Sequence, residues 1–259
     1  MYPKRYKLLK DAPNPFMMGY EPDQDVSEVL APQEASYFQS LIGIMRWMIE
    51  LGRVDIATEV SLLSSYLAMP REGHIEAALH IMSYLKKKHN ARVVFDPTYP
   101  DIDMDFFQRH DWEEFYGDVE EAVPADKPEP RGKPVDLQMY VDSDHAGEKT
   151  TRRSRTGFLI LINGALIDWL SKKQPTVESS VFGAEFVAMK NGVETLRGIR
   201  YKLRMMGVEL NGPNFIMGDN MSVVTNAPSP LLSSRRSPTA SAIMQYASLS
   251  SQMCGQRIT

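Results

Sequence analysis

From Ser36 the chain places apolar residues on a helical period. In SYFQSLIGIMRWMIELG, Phe38, Leu41, Ile42, Met45, Met48 and Ile49 recur every three or four positions until Gly52. That spacing predicts an amphipathic helix. VDIATEVSLLSSYLAM predicts a second that stops before Pro70, and EGHIEAALHIMSYLKKKHN a third whose closing lysines suit the negative end of a helix dipole. Residues 34–95 are therefore expected to form a small helical subdomain, with RVVF at 92–95 as a lone strand. Residues 1–33, rich in Pro, Gly and Asp, read as irregular, and the acidic, proline-bearing stretch 96–134 as a linker.

Beyond Pro134 the period shortens. LQMYVD and TGFLILI read as strands, Asn163-Gly164 is a strong hairpin signal, and ALIDWLS supplies the returning strand. From Ser179 to Met206 a long helix is predicted, with Phe182, Phe186, Met189, Val193, Leu196, Ile199 and Leu203 as its apolar stripe and Gly207 as its stop. NFIMGD, after the Asn211-Gly212-Pro213 turn, is a further strand. An antiparallel meander, a helix and a strand able to pair with the first strand make an α/β fold with a mixed sheet.

Composition narrows the function classes. With 43% apolar residues in 259, the chain can build a real core. A formal net charge of −4 gives no overall attraction to nucleic acid, so such a partner needs a local basic patch or bound metal. A single cysteine, Cys254, excludes an intramolecular disulfide framework and a cysteine-rich zinc site. The N-terminus has no apolar leader-like region and no later run approaches a membrane span, so a soluble, intracellular protein with no membrane partner is expected.

The candidate chemistry lies in carboxylates. Asp142 and Asp144 close one strand, Asp219 closes another, and Glu185 sits early in the long helix, so folding can gather acids at one sheet edge. Like charges so gathered oppose folding unless cations bind them, and hard oxygen donors suit Mg²⁺ or Mn²⁺. Asp144 is either a residue behind the metal ligands or a simple turn residue. The alternative for all of these acids is a set of surface carboxylates flanking core strands.

YVDSDHAG, TRRSRTGFLI, WLSKKQPTVESSVFGAEFVAMKNG, LRGIRYKLRMMG and GDNMSVV together resemble the ribonuclease H region of Ty1/copia-type retrotransposon polyproteins. ASYFQSLIGIMRWMIELGRVDIATEVSLLSSYLAMPREGH and IMSYLKKK resemble the segment that follows the reverse transcriptase palm there. The resemblance covers roughly residues 10–227. It implies a ribonuclease H-like domain at 135–227 preceded by a thumb/connection-like helical subdomain, with Asp142, Glu185 and Asp219 as the catalytic and metal-binding residues. Two Mg²⁺ (or Mn²⁺) ions are implied, Asp142 bridging both while Glu185 and Asp219 hold one each. The implied substrate is the RNA strand of an RNA–DNA hybrid, told apart by its 2′-OH groups and shape. Arg152, Arg153, Arg155, Lys172 and Lys173 are candidate phosphate contacts, or else a solvated hairpin rim. His145 is a phosphate or water contact or a structural turn residue, and Trp169 reads as sheet core. Location follows the family, in a cytoplasmic virus-like particle or the nucleus, and the rest of a reverse transcriptase is an implied partner.

The chain departs from the family at both ends. No polymerase palm precedes the helices, so polymerisation is not implied. Residues 228–259 hold eight serines and three arginines but no Asp, Glu or His, where the family continues through a basic stretch into a histidine-bearing helix with a further metal-site residue. The expectation is a disordered, aberrant tail, with a helix around AIMQYASL. A one-nucleotide slip near Ala227 would account for the lost periodicity and the missing acid together. The alternative to an active nuclease is a non-catalytic remnant that binds nucleic acid or a partner protein.

Overall fold

The computed structural model describes residues 12–101, 125–226 and 244–248. The irregular segment expected at 1–11, the linker expected over 102–124 and the disordered tail expected over 227–243 and 249–259 lie outside the described residues. The chain divides into two compact units.

The first unit comprises residues 1–93 with 146–153 and 171–175. Its helices are α1 (Pro32–Glu50), α2 (Ala57–Leu63) and α3 (Glu72–Lys87). Proline at the start of α1 suits a position whose N–H has no helical partner. Phe38, Leu41, Ile42 and Met45 bury as the period predicts, against Ile56, Val60, Leu63, Ile75, Ile81 and Leu85. Gly52 ends α1 with φ +102°, a conformation glycine takes without penalty. The second predicted helix is broken: 3-10 turns at Val54–Ile56 and Ser64–Tyr66 flank a seven-residue α2. Residues 92–95 are not a strand. Val94 and Phe95 are exposed and lie in no ladder, so an apolar run without a pairing edge stays irregular.

One histidine organises this unit. His74 is buried, its Nδ1 accepts from the Arg71 N–H (3.0 Å) and its Nε2 lies 2.9 Å from the Pro22 carbonyl, so the neutral Nε2–H tautomer satisfies both. Burial holds its pKa below the ordinary histidine value. Residues 146–153 are tied in by polar contacts: Thr150 N–H donates to Asp23 (3.1 Å), Lys149 pairs with Glu21 (2.5 Å) and Glu148 with Lys173 (3.1 Å).

The second unit holds a five-stranded mixed sheet in the spatial order Ala165–Lys173, Arg155–Ile162, Leu137–Ser143, Asn214–Gly218, Met244–Ser248. The strands are β2 (Leu137–Ser143), β3 (Arg155–Ile162), β4 (Ala165–Lys173), β6 (Asn214–Gly218) and β7 (Met244–Ser248). β2 pairs antiparallel with β3 and parallel with β6, and β6 pairs parallel with β7. β3 turns into β4 at Asn163-Gly164, with Asn163 at φ +51°. Two short strands, β1 (Arg131–Val135) and β5 (Val208–Leu210), pair separately in parallel. The helix expected around AIMQYASL is instead a strand over 244–248, because β6 offers an open parallel edge there.

Helix α4 (Val181–Met205) covers the β2–β3 face. Its Ser180 cap accepts from the Gly183 N–H at 3.1 Å. The buried stripe is rotated from the predicted one: Ala184, Glu185, Ala188, Met189, Gly192, Val193, Leu196, Arg200 and Leu203 face inward, while Phe182, Phe186 and Ile199 are only partly buried. Small residues line the closest approach. A Cβ on Gly192 would stand 2.5 Å from the Met139 sulfur, so glycine there lets the helix sit against β2.

Candidate functional site

Three acidic residues of the second unit build the site. Asp142 is the penultimate residue of β2, opposite Gly157 of β3. Asp219 directly follows β6, which lies beside β2 in parallel, so both aspartates leave the same end of the sheet. Glu185, the fifth residue of α4, belongs to the inward stripe. One carboxylate oxygen from each of Asp142, Glu185 and Asp219 lies within 4.8 Å of the other two.

The electrostatics of this trio are unfavourable as they stand. Glu185 is 7% exposed, and burial, then the charges of Asp142 and Asp219, push its carboxyl up to about 7. The Asp142 carboxyl is also raised, first by burial and then by Asp219 and Asp144. Opposing this, the Ser143 N–H donates to Glu185 Oε1 at 3.3 Å. Three acidic side chains whose mutual repulsion a cation would relieve form a hard-oxygen donor set able to hold a divalent cation.

Ser143 is the residue that the sequence reading missed. It lies between the two aspartates of YVDSDHAG, and its backbone reaches Glu185 from the strand end. Asp144 stands outside the trio. Its Oδ1 accepts from the Arg155 N–H at 2.6 Å and its own N–H donates to the Arg155 carbonyl, which fixes it as the residue closing the loop between β2 and β3.

The basic candidates divide. Lys173 is committed to Glu148, whereas Lys172 and Arg152 are exposed, Arg152 at φ +59°. Arg153 is half-buried, and Arg155 starts β3. His145 is exposed just after the loop-closing Asp144. Trp169 is only half-buried in β4. Among the described residues, no helix is long and apolar enough to cross a membrane.

No protein-family model matches the chain, and no solved structure does. Curated relatives do. The chain is 24% identical over 198 residues to the retrovirus-related Pol polyprotein from transposon RE1 of Arabidopsis thaliana, covering 76% of this chain and 11% of that protein. It is 22% identical over 231 residues to the one from transposon RE2 of the same plant, covering 89% of this chain and 14% of the relative. An uncharacterized mitochondrial protein of Arabidopsis thaliana is 39% identical over 156 residues, 60% of this chain and 50% of that protein. The chain thus spans a small part of the polyproteins it matches. Over most of its length it is related, at modest identity, to the retrovirus-related Pol polyproteins of copia-type transposons.

Proposed function

We propose that this retrotransposon-derived chain carries a ribonuclease H-like domain that hydrolyses the RNA strand of RNA–DNA hybrids. The observation that carries the reading is the convergence of Asp142, Glu185 and Asp219 within 4.8 Å, on the residues the family resemblance selects. The donor set fits Mg²⁺ or Mn²⁺, with Asp142, Glu185 and Asp219 as the holding residues. Bound divalent cations would supply Lewis-acid activation of water and neutralise charge at the phosphate.

The chain's own residues prepare that chemistry. Burial keeps Glu185 on the inward stripe of α4, and the Ser143 N–H orients its Oε1 toward the strand end. Asp144 holds the loop after Asp142 closed through Arg155. Arg152 and Lys172 are exposed cations offered as phosphate contacts, and the remaining reverse transcriptase of a Pol polyprotein is the proposed partner.

The test is cleavage of an end-labelled RNA–DNA hybrid by the full chain in Mg²⁺ and in Mn²⁺, beside Asp142→Asn. Cleavage that Asp142→Asn abolishes supports the reading. Hybrid binding without cleavage in either ion, unchanged in Asp142→Asn, would replace it with a non-catalytic nucleic-acid-binding remnant.

A further inference from the structure

The sequence contains Asn-Gly at three places: Asn163-Gly164, Asn191-Gly192 and Asn211-Gly212. This dipeptide is prone to a spontaneous rearrangement in which the glycine nitrogen attacks the asparagine side-chain carbonyl, because glycine offers no Cβ to obstruct the approach. The three sites share a sequence and differ in structure.

Asn163 is buried in the β3–β4 turn, and its side chain is fully used. Its Oδ1 accepts from the Asp136 N–H at 2.9 Å, and its Nδ2 donates to the Pro97 carbonyl at 3.2 Å. The attacking nitrogen there, Gly164 N, donates to the Thr98 carbonyl at 3.1 Å, and Asp96 crowds the glycine, 3.1 Å from where a Cβ would stand. Asn191 lies in the middle of α4, where the helical backbone turns the following N–H along the helix axis and away from the side chain. Gly192 is further closed in by Met139.

Asn211 is the exception. It and Gly212 are exposed in the turn between β5 and β6, and nothing lies within 4 Å of the Gly212 Cβ position. The turn is held by hydrogen bonds too, from the Asn211 side chain to Asp136, from Arg200 to the Gly212 carbonyl and from the Gly212 N–H to the Leu210 carbonyl at 3.1 Å, so what sets Asn211 apart from buried Asn163 is its exposure to water and the open flank of its glycine. Both residues are open to the solvent that supplies the base and the water of the reaction.

We propose that Asn211 is the deamidation site of the folded protein, converting to aspartyl and isoaspartyl residues while Asn163 and Asn191 are protected by the fold. Gly212 N, losing its proton to solvent base, bonds to Asn211 Cγ. The Cγ–Nδ2 bond breaks and ammonia leaves, giving a five-membered succinimide. Water then opens the ring at either carbonyl, leaving Asp or isoAsp at position 211.

The change has a structural consequence. The Asn211 side chain donates to the carboxyl of Asp136, and the Asn211 N–H donates to the Val135 carbonyl at 2.9 Å, joining the ends of β1 and β5. Deamidation replaces that donor with a carboxylate facing another, and isoAsp inserts an extra backbone carbon at the join. Both weaken the β1–β5 pair.

The experiment incubates the full chain at about pH 8 and 37 °C, where solvent base is available to the glycine N–H, natively and in urea. Peptide mapping by mass spectrometry follows, with isoAsp scored by methyl transfer from labelled S-adenosylmethionine. The expected result is ammonia loss confined to the Asn211 peptide in the native sample and spread over all three in urea. Asn211→Gln abolishes the native methyl acceptance, and Asn211→Asp reproduces faster amide exchange in β1 and β5. An unmodified Asn211 in the native protein, or Asn163 or Asn191 reacting as fast as Asn211, overturns the proposal.

Discussion

Replacing Gly192 with alanine tests how α4 is held against the sheet. In an isolated helix the change is favourable by about 1 kcal/mol, because alanine has less backbone freedom to lose. Here the added Cβ would stand 2.5 Å from Met139 Sδ and 2.7 Å from its Cε, and Met139 is fully buried. The methionine end must find another rotamer in a filled core, and overpacking of this kind costs about 1–3 kcal/mol. The balance predicts net destabilisation of about 1 kcal/mol. Met139→Val removes both clashing atoms, so in that background Gly192→Ala should become stabilising by about 0.5–1 kcal/mol. Urea denaturation of the four proteins, followed by circular dichroism, measures the coupling. A Gly192→Ala protein more stable than the parent with Met139 in place would refute the close-approach reasoning. Because α4 carries Glu185 and β2 carries Asp142, the single variant should also weaken Mn²⁺ binding, and the double variant should recover part of it.

The other predictions concern charge and buried polar groups. Glu185 binds its proton more tightly folded, at about 7, than unfolded, so its contribution to stability is fully present below its ordinary carboxyl range and lost as pH rises through 7. Metal-free protein should therefore melt lower at pH 8 than at pH 5 in the sheet unit; Glu185→Gln should flatten that slope and saturating Mg²⁺ should oppose it, and a slope unchanged in Glu185→Gln counts against the assignment. His74 behaves oppositely: its folded pKa lies below the unfolded value, so its contribution is present above that value and lost on acidification. Amide exchange in α3 should speed up relative to β2 between pH 7.5 and pH 5, after correction for intrinsic rates, and equal change in both would contradict it. Arg200 is 4% exposed and donates to the Gly212 carbonyl and to Asn214 Oδ1, both at 2.9 Å. Arg200→Met should cost about 1–3 kcal/mol by leaving the buried Asn214 Oδ1 unmet, read from the urea midpoint, and a loss within experimental error would show that water replaces the guanidinium.

The strands that carry the site were legible because their apolar runs end in acids: β2 stops one residue past Asp142 and β6 stops just before Asp219. Glu185 was legible as a residue of the long helix, but its burial was not. The predicted stripe followed large side chains such as Phe182 and Phe186, whereas the inner line is set by Ala184, Ala188 and Gly192, whose value is their lack of bulk. The β1–β5 pair escaped notice because RGKPV carries a glycine and a proline and VEL is only three residues long. β7 escaped because parallel pairing is decided by a distant edge, not by the strand's own pattern. Asp144 was ambiguous in sequence, since spacing alone cannot distinguish an acid that meets a cation from one that accepts a backbone N–H.

The position of β6 sets the order in which the acidic trio can come into being. The β2–β3–β4 meander closes through connections of eleven and two residues, and Asp142 is in place as soon as it forms. β6 must pair with β2 across more than seventy intervening residues, a closure that costs about 2 kcal/mol more and forms more slowly. Asp219 therefore joins Asp142 only after α4 has been synthesised. Repulsion among the three carboxylates is deferred to a late step, when the apolar contacts of α4 with β2 and β3 are already available to oppose it. On a ribosome, a nascent chain would gain its full capacity for divalent cations only once residue 219 had left the exit tunnel.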